Sequence, residues 1–453
     1  MRRTMKFWLP IGMALVALGV LASACGGGTS SSDKTATAAA GKKTPVTTGT
    51  SAAGATATSA PLSGKLEIFS WWTTGGEAAG LKELFNLYPA TCPGTVEIVN
   101  ATVAGGGGAN ARQVLTTRML GNDPPGSFQV HMGHELTDTW VTGDYMEPLD
   151  TLFTQQGWAS VFPKGVLDIV SYQGKPYSVP VNIHRANVLW YNKSVFTANN
   201  LQVPKTLDDF FTAADALKAK GITPLALGDV DSFASIQLME TVLLGTLGAD
   251  GYNGLWTGAT DWNSAKVTDA LNAYKKMLGY VNSDHSSLSW DQANDLVISG
   301  KAAMTIMGDW LEGDNKAKKF TGYGWAPSPG TAGVYDALSD TFGLPKKAPN
   351  RDAVICWLKV VGSKKGQEAF NPLKGSICAR TDCDASLFDE YLQSAMKDWK
   401  TDKIVPSLAH GAAVKQGWLT EVSDAVTAFV ADKNAGTLQS RLAAACKTAG
   451  VCK

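Results

Sequence analysis

Beyond residue 64 the chain alternates short β-like runs with amphipathic helical stretches, and this alternation constrains the fold more than any single motif. Residues 65–70 (KLEIFS), 95–103 and 127–131 read as strands. Residues 77–87, with Leu81, Leu84 and Phe85 on one side, and 109–120 read as the helices between them. Such repeats predict α/β sheets flanked by helices, where ligands collect at the carboxyl ends of strands. Further on, Thr206 with Asp209 and Ser289 with Gln292 have capping-box spacing. They start helices over 206–220 and 289–300, which puts Trp290 in a first helical turn. Residues 301–307 form a strand that hands over to Gly308, Asp309 and Trp310. In the mostly helical last third, the stripes Val422, Val426, Phe429, Val430 and Leu438, Leu442, Cys446 are packing faces. The stretch 64–453 is too long for one core and predicts two lobes.

The N-terminus reads as an address. Arg2, Arg3 and Lys6 precede an apolar run over 7–21, and Ala22, Ser23 and Ala24 lead into Cys25. This is an export signal (1–25), too short to span a membrane. Cys25, followed by three glycines, resembles the lipidated first residue of bacterial lipoproteins, although Ala22 stands where Leu is usual. Acyl chains there would hold the protein on the outer face of the membrane. Residues 26–63 are Gly, Ser, Thr, Ala and Lys with almost no large apolar side chain, which predicts a disordered tether with a reach of roughly 35 Å.

Lys plus Arg and Asp plus Glu number 40 each, and charged residues make up only 18% of the chain. That balance excludes a nucleic-acid binder and suits a receptor for a neutral solute. After Cys25 the cysteines are Cys92, Cys356, Cys378, Cys383, Cys446 and Cys452, an even set that favours disulfides in an exported chain. The local pairs Cys378–Cys383 and Cys446–Cys452 are expected, leaving Cys92 with Cys356. His131 and His134 have no metal-site spacing, and glycines 105–108 lack the Lys-Ser or Lys-Thr of a phosphate loop. The glycines read as a tight turn beside a cleft. No GxSxG elbow is present. Neither metal nor cofactor is expected.

Trp71 and Trp72, released at a strand end beside Glu77, suit a ligand with a flat apolar face and a polar rim, as a sugar ring has. Taken alone, the pair reads equally well as core indoles. A set of ordered strings decides the matter. The run SYQGKPYSVPVNIHRANVLWYNKSVF (171–196) and PKTLDDF resemble the crossover region of extracytoplasmic solute-binding proteins of carbohydrate importers, whose fold is similar to that of maltodextrin-binding proteins. KLEIFSWW, NATVAGGGGANARQVLTTRMLGNDPP, FQVH, MGDW, WAPSPGT, LSDTFGLPK, NPLKGS and SAMKDW are similar to the glucose/mannose-binding members, from residue 65 to the C-terminus.

The resemblance implies a two-lobed periplasmic-binding-protein fold (type II), with a hinge between lobes and the ligand in the cleft. Lobe one would hold 64–180 and 339–400, lobe two 182–338 and 403–453, with hinge strands at 179–182 and 328–339. By position it implies sugar contacts from Trp71, Trp72, Glu77, Gln129, His131, Trp290, Trp310, Asp340, Lys374 and His410, with Asp309 and Asn182 as weaker candidates. The expected partners are a small neutral sugar, most simply glucose, with mannose or galactose as alternatives, and the membrane permease subunits of an ABC-type importer. The chain itself would be a monomer held to the membrane through Cys25. The rival readings are an exported glycoside hydrolase using Glu77 and Asp340 as its carboxyl pair, and a sensory sugar co-receptor.

Overall fold

The computed structural model describes residues 61–105 and 108–453. The export signal, Cys25 and the tether up to residue 60 lie outside the described residues. The first strand begins at Leu62, inside the stretch expected to be tether.

Two sheets carry the molecule. The first has five strands in the order Gly94–Thr102, Leu62–Ser70, Ser127–His131, Asp340–Gly343, Ser178–Pro180. The first three run parallel, and Asp340–Gly343 opposes both of its neighbours. Ser127–His131 is buried along its whole length, as a central strand covered on both faces must be. On one side Leu81, Leu84 and Tyr88 of helix Gly75–Thr91 form the buried stripe. On the other, Ala111, Leu115 and Met119 recur at four-residue intervals along helix Ala109–Leu120 and close over Phe69 and Phe128.

The second sheet runs Tyr323–Pro327, Val188–Asn192, Ala302–Ile306, Thr223–Ala226. Both expected capping boxes form: Thr206 with Asp209 opens helix Leu207–Lys218, and Ser289 with Gln292 opens Trp290–Ile298. A small third sheet, Lys403–Pro406, Val334–Leu338, His184–Arg185, joins the other two. The chain leaves the first sheet after Pro180 and enters the third at His184; it leaves the third at Leu338 and re-enters the first at Asp340.

Helix Glu390–Thr401 packs on the second and third sheets. Tyr391 meets Trp190 at 4.8 Å and Trp325 at 5.6 Å, and Trp399 meets Tyr335 at 5.3 Å. Its apolar face is aromatic, and the aromatic strands lie there.

Three helices converge at Gly76 and Gly313. A Cβ on Gly76 would stand 2.2 Å from the Leu373 carbonyl oxygen and 2.7 Å from the Gly313 Cα, so only glycine permits this approach. Helices Gly75–Thr91, Trp310–Ala317 and Lys364–Lys374 thereby present Glu77, Trp310 and Lys374 to one place. Disulfides join Cys92 to Cys356, Cys378 to Cys383 and Cys446 to Cys452.

Candidate functional site

A cavity of about 270 Å³ opens where the carboxyl ends of the first-sheet strands face the second sheet. Trp71, Glu77, His131, Trp290, Trp310, Asp340, Lys374 and His410 line it. Residues far apart in the chain, from Trp71 to His410, therefore meet in one small space, just below the roughly 300–1,000 Å³ typical of ligand pockets.

Its walls are aromatic. Trp71 stands edge-on to His131 at 5.0 Å, with Gly108 behind it; a Cβ on Gly108 would lie 2.8 Å from the indole. Trp310 packs against His184 at 5.4 Å, His410 at 5.3 Å and Phe233 at 6.2 Å. Trp290 occupies the first turn of its helix and remains partly exposed.

The polar groups are fixed. Lys374 donates to Glu77 Oε1 at 2.9 Å. Burial pushes the Glu77 carboxyl above its ordinary range, and the Lys374 charge only partly offsets this. Asp340 lies opposite His131 in the sheet register. Its Oδ1 accepts from Gln129 Nε2 at 2.7 Å and its Oδ2 from Asn182 Nδ2 at 2.8 Å. His184 Nε2 stands 3.3 Å from Oδ2, near enough for charge attraction but off the line of a hydrogen bond. Burial alone pushes the Asp340 carboxyl up; His184, Lys374 and His131 overcome it and hold the group well below the usual carboxylate range. It meets a ligand as an anion. His410 shares a 2.7 Å contact with Ser407 Oγ, and burial, then the charges of His131 and His184, hold its ring well below the ordinary imidazole range. It is neutral.

Two expected contacts do not reach the cavity. Trp72 is a core indole, 1% exposed and packed on Phe370 at 5.0 Å and Phe342 at 5.7 Å. Both lie past the end of strand Leu62–Ser70, where the chain bends at Trp71, and the two indoles part: Trp71 lines the cavity while Trp72 enters the core. Trp72 instead backs Lys374, whose ammonium lies 5.6 Å from its ring. Gln129 is 1% exposed and sits behind Asp340, bonding it and accepting from the Trp71 backbone N–H at 3.2 Å. Asn182 and Asp309 are likewise one layer back, on Asp340 and His184.

The sequence reading missed His184, Asp231, Phe233, Ser289 and Asp291 on the wall. Ser289 and Asp291 flank Trp290 and were within reach of the capping-box argument. His184 lies in the run at 171–196 but carries no spacing that pairs it with Asp340.

Chemically, the site offers four carboxyl groups as hydroxyl acceptors, Glu77, Asp231, Asp291 and Asp340, with an ammonium donor, imidazoles and three indole faces.

Comparison with known proteins agrees. Residues 72–368 match the family described as bacterial extracellular solute-binding protein. The chain is 37% identical to an uncharacterized ABC transporter extracellular-binding protein of Pyrococcus horikoshii, covering 82% of this chain and 84% of that one. It is 30% identical to a probable sugar-binding periplasmic protein of Rhizobium meliloti, over 90% of this chain and 100% of the relative. Among solved structures, the bacterial solute receptor AcbH, described as having an exclusive preference for β-D-galactopyranose, superposes with a TM-score of 0.75 at 20% identity, over 85% and 98% of the two chains. That likeness establishes the two-lobed α/β fold. The chain belongs to the bacterial extracellular solute-binding proteins: it is a solute receptor, not an enzyme.

Proposed function

We propose that this receptor captures a single neutral hexopyranose, glucose foremost, with mannose and galactose as the alternatives, and delivers it to the permease subunits of an ABC importer. The observation that carries the reading is the cavity itself: three indoles stand around four carboxyl groups and one ammonium in a space of about 270 Å³. Indole faces suit the apolar face of a pyranose, and charged planar groups suit its hydroxyl rim. The small volume favours one ring over a chain of rings. The names of the relatives support both a sugar ligand and an ABC partner.

In this reading the first lobe is built from 64–180 with 339–388, and the second from 182–338 with 389–453. A ligand touching walls from both drives them together about the passages at 181–183 and 339. The monomeric receptor is held to the membrane through lipid on Cys25. A calorimetric panel of glucose, mannose, galactose, xylose and maltose tests the ligand. One-to-one binding of a hexose, with quenching of tryptophan fluorescence, is expected; heat with maltose alone would sink the single-ring reading.

A further inference from the structure

His184 is held by two carboxylates. Its Nδ1–H donates to Asp309 Oδ1, and its Nε2 faces Asp340 Oδ2. A matching arrangement stands on the other side of Asp340. His131 Nδ1 lies 2.9 Å from Glu135 Oε2, and its Nε2 lies 3.6 Å from Asp340 Oδ1. Acid and base thus alternate through Glu135, His131, Asp340, His184 and Asp309, with Asp340 at the centre and no member more than 5% exposed. Only His131, Asp340 and His184 reach the cavity wall. The outer carboxylates are themselves supported: Asp309 accepts from the Arg185 backbone N–H at 3.0 Å, and Glu135 lies 3.8 Å from Arg112.

We propose that His184, held by Asp309, is a positioning residue for the sugar: its Nε2–H keeps Asp340 aimed at the cavity and turns a donor to the carboxylate–sugar junction, so hexose binding is linked to the proton on His184. This rests on the hexose-receptor reading above. The His184 Nε2 is buried and has no aligned partner in the protein, although it lines the cavity. That leaves its proton available to the carboxylate–sugar junction when a ligand arrives.

The surroundings fix the sign. Burial and then the Lys374 charge oppose protonation of His184, but Asp309 and Asp340 prevail, and its affinity for the proton is raised above the ordinary imidazole value. Glu77 adds to the negative side. The neutral His410 and the Trp310 ring complete the enclosure. Arg185, next in sequence, directs its charge away to Asp398 and Asp402. With the folded value raised, the linked affinity is full at low pH and declines as pH rises through it.

The experiment is glucose calorimetry on the full chain from about pH 5.5 to about pH 9, with thermal unfolding of each variant as a control. Wild-type affinity is expected to be level at the acid end and to weaken by roughly tenfold per pH unit once His184 loses its proton. His184→Gln restores a neutral donor and is expected to bind within about tenfold of the wild-type acid-end affinity, with no slope. His184→Leu is expected to lose at least about 100-fold, and Asp309→Asn to move the slope to lower pH. A Gln variant that keeps the wild-type slope, a Leu variant within threefold of wild type, or an Asn variant with an unmoved slope overturns the proposal. Should the Leu variant not fold, the Gln and Asn comparisons decide. Wild-type protein that binds no hexose sinks the receptor reading itself, and this inference with it.

Discussion

Lys374 and Glu77 make a buried ion pair whose removal has calculable consequences for folding and for binding separately. The two side chains are 3% and 15% exposed and meet at 2.9 Å. In Glu77→Gln the ammonium stays buried, faced by the Trp72 and Trp310 rings at 5.6 and 5.7 Å and no longer by a partner carboxylate. Asp340 still attracts it from beyond hydrogen-bond reach, so the cost falls below the roughly 3–5 kcal/mol of a buried charge left wholly unpaired. Lys374→Met leaves the carboxyl behind instead, and a carboxyl has an escape: it takes a proton. Burial already pushes Glu77 up, and losing the Lys374 charge pushes it further. The Lys374→Met cost is therefore small in acid, grows by about 1.4 kcal/mol per pH unit between the wild-type Glu77 value and the variant's higher one, and is level above that. The double variant places an amide beside a thioether with no charge to strand, so its cost falls short of the sum of the singles by about 2–3 kcal/mol. Sugar affinity behaves differently. Each variant loses a charged hydrogen-bonding group worth about 1.5–3 kcal/mol to the ligand, which is roughly 10- to 100-fold in Kd. Urea unfolding at two pH values, paired with glucose calorimetry, separates the two effects. Single costs that add in the double variant, or a double variant with wild-type affinity, would refute the reasoning.

The other variants probe the walls and the supports. Trp290→Ala, at a partly exposed position, is expected to cost less than about 1 kcal/mol in stability yet weaken glucose at least tenfold. Trp72→Ala is expected to show the reverse ranking, costing about 3–5 kcal/mol as a core deletion with the smaller loss of affinity. The same ranking in both assays would put Trp72 back on the ligand. Glu312, which accepts from the Tyr323 hydroxyl at 2.6 Å, is pushed up to about 7, chiefly by burial and with Asp389 adding to it. Because the folded value is raised, the stability it contributes is complete below its ordinary 4.5 and is lost as pH rises through about 7. Glu312→Gln should flatten that decline, a difference on the order of 3 kcal/mol between the two pH limits in chemical unfolding; parallel curves would contradict it.

Local signals carried the fold a long way. Capping boxes at Thr206 and Ser289 and the buried stripes of the first helices depend only on nearby residues, and they form where the periodicity predicts. Which sheet helix Glu390–Thr401 covers is not legible locally, because an amphipathic stripe says that a face is buried, not what buries it. The site shows the same division. Trp71, Glu77 and Trp290 sit at strand ends or first helical turns, positions that local reading can find. Trp72 was lost because the chain bends past the strand end and turns the second indole into the core, and Gln129 to its depth, two residues before His131 in the same strand. His184 comes opposite Leu338 only through the third sheet, two residues from Asp340, so no interval along the chain reveals the pairing.

The charge of the cavity decides which sugars are refused. Glu77, Asp231, Asp291 and Asp340 line it, against Lys374 and the ring of His184. Lys374 is already committed to Glu77, and His184 stands between Asp309 and Asp340. An anionic sugar therefore finds no uncommitted cation among these groups and must approach carboxylates. At about 6 Å and an effective dielectric of about 20, one such repulsion is near 3 kcal/mol, roughly 100-fold in affinity. Glucuronate and glucose 6-phosphate should accordingly bind at least about 100-fold more weakly than glucose in the same calorimeter. The gap should narrow for glucuronate as added salt rises only to the extent that the cavity stays open to solvent. Equal affinity for glucose and glucuronate would mean that Lys374 can leave Glu77 for the ligand, and that the pair is a switch rather than a fixed part of the wall.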